Sequence, residues 1–79
     1  MEYDKEKVAE FALAMLHLNH FTVGGVLRAW KGFDWDAMNL LHEQGYISDP
    51  KSKAKSIVFT EEGAKRAEQL FSKHFVSTD

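Results

Sequence analysis

The sequence predicts a single, mainly helical α+β domain, and three observations support this prediction. Apolar residues recur every three to four positions in the first, middle and last parts of the chain, which indicates helices. A β-branched and aromatic run at residues 57–59 follows an Asp-Pro turn, which indicates a β-hairpin. The 79 residues contain no linker and no repeat, so one domain is expected to cover residues 1–79.

The composition excludes several classes of protein. The chain has no cysteine, so it has no disulfide and no thiolate nucleophile, and it suits the cytoplasm, where we expect it. The net charge of −2 argues against a general nucleic-acid-binding protein but leaves room for a local basic patch. The longest apolar run, residues 11–16, is too short to span a membrane, so we expect no membrane partner.

The first helix, predicted over residues 3–18, is apolar on two adjacent faces. One face carries Val8, Phe11, Met15 and Leu18, and the other carries Ala9, Ala12, Leu13 and Leu16. Because one face is enough to cover the core of a small domain, the sequence predicts a homodimer. The residues expected in its interface are Leu13, Leu16, Phe71 and Phe75. The alternative is a first helix that is fully wrapped within one monomer.

The middle of the chain is predicted to contain a short helix and then a longer one. Residues 22–30 fit a short helical turn, although Gly24 and Gly25 are unfavourable in a helix. Asp34 is a suitable N-cap for the longer helix, because its carboxylate can accept the free backbone N–H groups of the first turn. Gly45 is suited to end that helix in a left-handed conformation.

A β-hairpin with lysines at its tip is predicted before the last helix. Asp49 and Pro50 favour a turn, and the chain returns through residues 57–59. Thr60 is then a suitable N-cap for the closing helix. The order helix, short helix, helix, hairpin, helix is typical of the winged helix-turn-helix. We therefore predict a winged helix-turn-helix-like domain, mainly α with a two-stranded β-hairpin.

Two parts of this pattern resemble known bacterial sequences. Residues 45–47 (Gly-Tyr-Ile) and residues 59–63 (Phe-Thr-Glu-Glu-Gly) resemble the region around the wing in many bacterial winged-helix regulators, which implies the same fold. The strings RAWKGFDWD (28–36), LHEQGYISDP (41–50) and KAKS (53–56) resemble a small family of uncharacterised bacterial proteins, a domain of unknown function. This second resemblance implies a bacterial origin and supplies no mechanism.

The lysines of the predicted wing are the leading functional signal. Lys51, Lys53 and Lys55 alternate with small residues, so an extended chain would place all three on one face. A basic wing can lie along a phosphate backbone. The simpler interpretation is favoured: lysines at a hairpin tip keep the protein soluble and prevent the edge strand from pairing.

A DNA-binding regulator is the alternative function, with the helix at residues 34–44 in the major groove. Arg28 and Lys31 could add phosphate contacts beside the wing, and Asn39 could contact bases. That helix, however, carries three carboxylates and no lysine or arginine. The DNA-binding function is therefore kept as the alternative to a protein-interaction function.

No motif in the sequence indicates a catalytic, metal or cofactor site. His17 and His20 could share one face of a helix, but no third ligand lies nearby in the sequence. There is no glycine-rich phosphate loop and no nucleophile with a base placed beside it. We therefore expect no enzyme, no metal and no cofactor. The predicted function is a non-catalytic, homodimeric protein-interaction module with an unknown protein partner.

The aromatic cluster formed by Trp30, Phe33 and Trp35 has two interpretations. Large rings between helices and under a wing are expected in the core. The alternative is an exposed anchor at a partner surface, where tryptophan is enriched. We predict the core position.

Overall fold

The computed structural model describes residues 2–76, which form three helices and a three-stranded antiparallel sheet. In chain order the elements are α1 (Lys5–Leu18), β1 (Phe21–Val23), β2 (Val26–Trp30), α2 (Trp35–Glu43), β3 (Ser56–Val58) and α3 (Glu61–Phe75). The predicted α+β class is confirmed, with a winged helix-like combination of helices and a small sheet. The predicted domain also includes residues 1 and 77–79, which lie outside the described residues.

Residues 22–30 form a β-hairpin, so the short helix predicted there is wrong. Strands β1 and β2 run antiparallel, with Val23 opposite Val26 across a two-residue turn. Gly24 and Gly25 form this turn with φ of 57° and 80°. Positive φ at both central positions is what a type I′ turn requires, and glycine adopts it without steric cost. The glycines that disfavour a helix therefore favour the hairpin.

Strand β3 lies on the other side of β2, so the order in the sheet is β1-β2-β3. The two ends of the predicted wing pair with each other, because Ile47 and Phe59 form an antiparallel bridge. Beside that bridge, the Ser48 backbone N–H donates to the Val58 carbonyl oxygen at 2.8 Å. The main pairing partner of β3 is β2, and residues 51–55 form turns and bends instead of an extended strand.

The predicted helix boundaries at three positions are confirmed. Asp34 Oδ2 accepts the Ala37 N–H at 3.2 Å and begins α2. Thr60 Oγ1 accepts the Gly63 N–H at 2.9 Å and begins α3. Gly45 follows α2 with φ of 81°, the left-handed conformation that ends the helix.

The first turn of α3 lies directly against the chain that follows α2. The Thr60 N–H donates to the Tyr46 carbonyl oxygen at 3.0 Å, and Thr60 Oγ1 donates to the Gly45 carbonyl oxygen at 2.6 Å. A Cβ at Gly63 would overlap the Tyr46 carbonyl group, which is backbone and cannot rotate away. Only glycine therefore fits at position 63 without separating the two segments.

The core lies where α1 crosses α2 and α3 and packs on one side of the sheet. Its largest buried side chains include Leu13, Leu16, Met38, Leu41, Ile57 and Leu70. The prediction that places Leu13 and Leu16 in a dimer interface is therefore wrong, because both are fully enclosed within one chain. The small side chains of Ala9 and Ala12 on the same face let neighbouring elements approach α1 closely. Among residues 2–76, no helix combines the length and the apolar character needed to cross a bilayer.

Candidate interaction surfaces

The sheet carries apolar side chains on both of its faces. Ala29 and Ile57 pair across β2 and β3 and are fully buried on the core side. Because side chains alternate along a strand, the neighbours of these two residues point away from the core. The residues on this outer sheet face are Phe21, Val23, Val26, Arg28, Trp30, Ser56 and Val58. An antiparallel sheet with one solvated face normally has polar residues there, so an apolar outer face indicates a binding surface.

Trp30 dominates the outer sheet face and is 59% exposed. Its ring centroid lies 4.9 Å from that of Phe21, its diagonal neighbour on β1. Trp35, at the start of α2, is also 59% exposed. The core prediction is therefore wrong for both tryptophans and correct for Phe33, which packs against the core. Both tryptophans are instead exposed, as in the alternative interpretation.

Arg28 lies in the middle of the outer sheet face. Phe21 is opposite it on β1, and Val58 is opposite it on β3. Arg28 Nε donates to Ser56 Oγ at 2.9 Å, and this bond fixes the guanidinium group over the sheet. The arginine therefore presents a positive charge among apolar neighbours.

The lysine loop, residues 51–55, is held against the end of β2. Lys31 Nζ donates to the Ser52 carbonyl oxygen at 2.7 Å, and the Lys31 N–H donates to the Lys55 carbonyl oxygen at 3.1 Å. All three lysines of the loop are exposed. Four of the predicted contact residues, Lys31, Lys51, Lys53 and Lys55, thus lie together at the Trp30 end of the sheet, and a fifth, Arg28, lies in the middle of the outer sheet face.

Helix α2 presents a different surface. Asn39 lies half-buried on this helix, which packs on α1, and it is not part of the outer sheet face. Asp36 and Glu43 are exposed on the same helix. In the chain, α2 is preceded by strand β2. DNA contact through Asn39 stays a prediction, separate from the cluster of cations.

A second apolar surface, the helix groove, lies between α1 and the start of α2. It encloses about 300 Å³ and is lined by Val8, Phe11, Ala12, Met15, Phe33, Asp34 and Ala37. Three of these residues belong to the apolar face of α1 that the core does not use. Among the residues that line the groove, only Asp34 carries a charge, and its carboxylate already caps α2.

Aromatic rings extend the helix groove towards α3. The ring centroid of Phe11 lies 5.8 Å from that of Phe75, which is exposed. Phe71 is half-buried and lies 5.6 Å from Phe75 and 5.3 Å from His17. Of the four residues predicted in a dimer interface, Phe75 is thus exposed and Phe71 is partly accessible.

The histidines at the end of α1 contact each other. The ring centroids of His17 and His20 are 5.1 Å apart, and His20 Nδ1 is hydrogen bonded to the His17 carbonyl oxygen. Both rings line a cavity of about 240 Å³ against α3. Within residues 2–76, no three His, Asp or Glu side chains are grouped so that they could hold a metal ion.

Comparison with known proteins gives one family and one curated relative. A family model described as "Domain of unknown function (DUF6429)" matches residues 4–77. The uncharacterized protein y4hR of Sinorhizobium fredii (strain NBRC 101917 / NGR234) is 47% identical over 75 residues, which cover 95% of this chain and 97% of that protein. No solved structure matches the chain. The predicted resemblance to uncharacterised bacterial proteins is confirmed, and the matched range includes both apolar surfaces.

Proposed function

Because the chain belongs to the family described as domain of unknown function DUF6429, we propose its function from its own surfaces. It is a non-catalytic protein-interaction domain that forms a homodimer through the helix groove. The observation that supports this proposal is an apolar groove that the described residues leave uncovered. The proposed interface includes Phe75, as the sequence predicted. Val8 and Phe11 take the place of Leu13 and Leu16.

A second copy of the chain fits the helix groove because the surface is self-complementary. The same patch offers an exposed ring, Phe75, and a groove of about 300 Å³. A two-fold axis repeats both features, so each ring can enter the groove of the other copy. Only one charged residue, Asp34, lines the groove, so little charge is desolvated when the surface is covered.

The available area suits a weak dimer. A standard interface covers about 800 Å² per partner, which is roughly one seventh of the 5476 Å² surface of this chain. The exposed parts of Val8, Phe11, Leu18 and Phe75 supply about 300–400 Å² of that area, given about 150–250 Å² for a whole aromatic side chain. Polar residues at the rim supply the rest. We therefore expect a dissociation constant of about 1–100 µM.

The small size of the domain favours self-association. A chain of this length buries only about 60–65% of its unfolded surface, so its core contributes limited stability. Dimerisation buries further apolar area and stabilises the folded state through mass action. The cysteine-free composition suits the cytoplasm, where we place this function.

Sedimentation equilibrium of the wild type and of Val8→Glu tests the proposal. The wild type should change from 9.0 kDa towards twice that mass as its concentration rises through about 1–100 µM. Val8 is exposed, so Val8→Glu should fold normally and remain at 9.0 kDa because a carboxylate is buried at the interface.

Val23→Glu is the matched control, since it makes the same change at an exposed valine on the outer sheet face. It should dimerise like the wild type. A wild type that stays at 9.0 kDa at about 500 µM, well above the expected dissociation constant, would contradict the proposal. So would a dimer that Val23→Glu disrupts and Val8→Glu does not.

A further inference from the structure

The outer sheet face combines exposed aromatic rings with a cluster of cations, and we propose that it binds single-stranded nucleic acid. Trp30 and Phe21 provide apolar ring surface for bases, and Arg28 lies between the strands that carry them. The lysine loop and Lys31 lie at the Trp30 end of the sheet, beside this face. This site is separate from the helix groove, whose lining residues include no cation.

The aromatic pair is arranged as a stacking platform. Trp30 is 59% exposed, and without a ligand this leaves a large apolar area in water. Phe21 supports it from the neighbouring strand at a centroid distance of 4.9 Å and an interplanar angle of 33°. Every base has a flat π face, so such a platform accepts any sequence.

The charge distribution directs a polyanion to this side of the molecule. The cluster contains five of the ten lysines and arginines and has one carboxylate beside it, Asp49, which accepts the Lys51 N–H; the other five cations share the rest of the chain with the remaining acidic residues. None of the outward positions of the three strands carries a carboxylate. A positive region on an otherwise negative protein orients an approaching phosphate chain and raises its association rate.

The exposed rings of the face favour a single strand over a duplex. Strand β2, the longest, has five residues and spans about 17 Å, and the hollow beside its end is lined by Phe21, Trp30 and Lys31. In a duplex the base faces are covered by their neighbours, so an exposed ring has no free base face to stack on. Unpaired bases can turn outward onto such rings while the backbone follows the cations.

The two tryptophans of the chain give a direct test of where a base stacks. Trp35→Phe leaves Trp30 as the reporter, and Trp30→Phe leaves Trp35, which is equally exposed at 59% but lies on α2. Each variant is titrated at low salt with oligo-dT and oligo-U of about 12 nucleotides. We expect both oligonucleotides to quench Trp30 emission and neither to quench Trp35 emission. The absence of binding by both, or equal quenching of the two reporters, would overturn the proposal.

Affinity measurements with matched variants test the platform separately. Trp30→Ala should weaken oligo-dT binding about 5- to 150-fold, as expected for the loss of one stacked base. Trp35→Ala should leave the affinity unchanged. Val8→Glu should also leave it unchanged, so this proposal can fail or succeed independently of the homodimer. Equal losses in Trp30→Ala and Trp35→Ala would overturn the stacking role.

The salt dependence of binding tests the cations. Replacement of Lys51, Lys53 and Lys55 by serine should reduce the slope of log affinity against log salt by about 2, from roughly 0.7 per phosphate on a single strand. The control replaces Lys5, Lys7 and Lys73 by serine, which changes the net charge equally on α1 and α3 and should leave the slope almost unchanged. Equal changes in the two variants would show that only net charge matters, and the proposed site would be wrong.

Two competitor ligands distinguish other occupants of the face. A duplex of the same length and a polyglutamate peptide are titrated under the same conditions. Both should bind more weakly than oligo-dT, because neither presents an unpaired base to Trp30. Tighter binding of the duplex would indicate backbone contact without stacking, and tighter binding of polyglutamate would indicate an acidic protein partner. Either result would overturn the proposal.

Discussion

The helix groove and the outer sheet face are both apolar and exposed, but they differ in charge. The helix groove is concave, and its lining residues include one carboxylate and no cation. The outer sheet face has Arg28 at its centre, and the lysine loop lies at the Trp30 end of the sheet. Exposed apolar area alone therefore does not indicate the partner of a surface. The surrounding charge determines which chemistry is attracted.

Both surfaces arise because an element of this small domain is apolar on two sides. On α1, Leu13 is buried while Val8 is 36% exposed. On the sheet, Ile57 faces the core while Val23 is 56% exposed. One core can cover only one side of each element, so the other side stays exposed. The buried and exposed sides should respond differently to truncation.

The largest expected effect is a loss of unfolding free energy when a core residue beneath either surface is truncated. Leu13→Ala should lower the free energy of unfolding by about 3–5 kcal/mol, because a fully buried leucine leaves a cavity. Val8→Ala should change it by less than about 0.5 kcal/mol. Ile57→Ala and Val23→Ala should show the same contrast on the sheet. Urea unfolding at a protein concentration well below about 1 µM excludes the contribution of the dimer. A large loss in Val8→Ala would mean that this face belongs to the core.

A smaller effect is expected when the salt dependence of oligonucleotide binding is compared with the salt dependence of dimerisation. An increase from about 50 to 200 mM salt should weaken oligo-dT binding about 20-fold, if three lysines each neutralise one phosphate. The dimer constant should change less than about twofold, because the helix groove carries almost no charge. Titration and sedimentation in the same buffers measure both constants. A dimer with the same salt slope as the oligonucleotide would contradict the distinction between the two surfaces.

The smallest effect concerns Asp34, which both caps α2 and lines the helix groove. Asp34→Ala should cost about 1 kcal/mol and lower the melting temperature by about 4–8 °C. Asp34→Ser is the matched control, because serine caps a helix nearly as well while removing the charge from the groove. It should keep the melting temperature and leave the dimer intact or slightly tighter. An unchanged melting temperature in Asp34→Ala would mean that the cap contributes nothing to α2.

The helix ends could be predicted from the sequence because their determinants are local. Asp34 and Thr60 each accept an N–H three residues ahead, and Gly45 adopts a conformation that other residues avoid. The hairpin at residues 22–30 was also encoded locally, in a Gly-Gly pair between two β-branched residues. Its apolar residues on both strand faces fit the spacing of a helical turn, and this led to the wrong prediction.

The sequence could not show which apolar face of α1 is buried and which is exposed. Both of its faces are apolar, and which one is buried depends on how α2 and α3 cross it. The exposure of Trp30 had the same origin, since it depends on pairing with strands that are distant in the sequence. Arg28, Lys31 and the three lysines of the lysine loop were all identified as candidates, but their position around the Trp30 end of the sheet follows from the tertiary fold. Spacing along the chain predicted the composition of the site and not its location.

The turn at Gly24–Gly25 has a consequence for the outer sheet face, although it contacts neither aromatic ring. Strand β2 is held by β3 and by the core, so the length of this turn sets the register of β1 alone. A slip of one residue would exchange the two faces of β1, turning Phe21 inward and Thr22 outward. Trp30 would keep its position and lose its neighbour. The stacking platform is thus specified by the number of residues in a two-glycine loop.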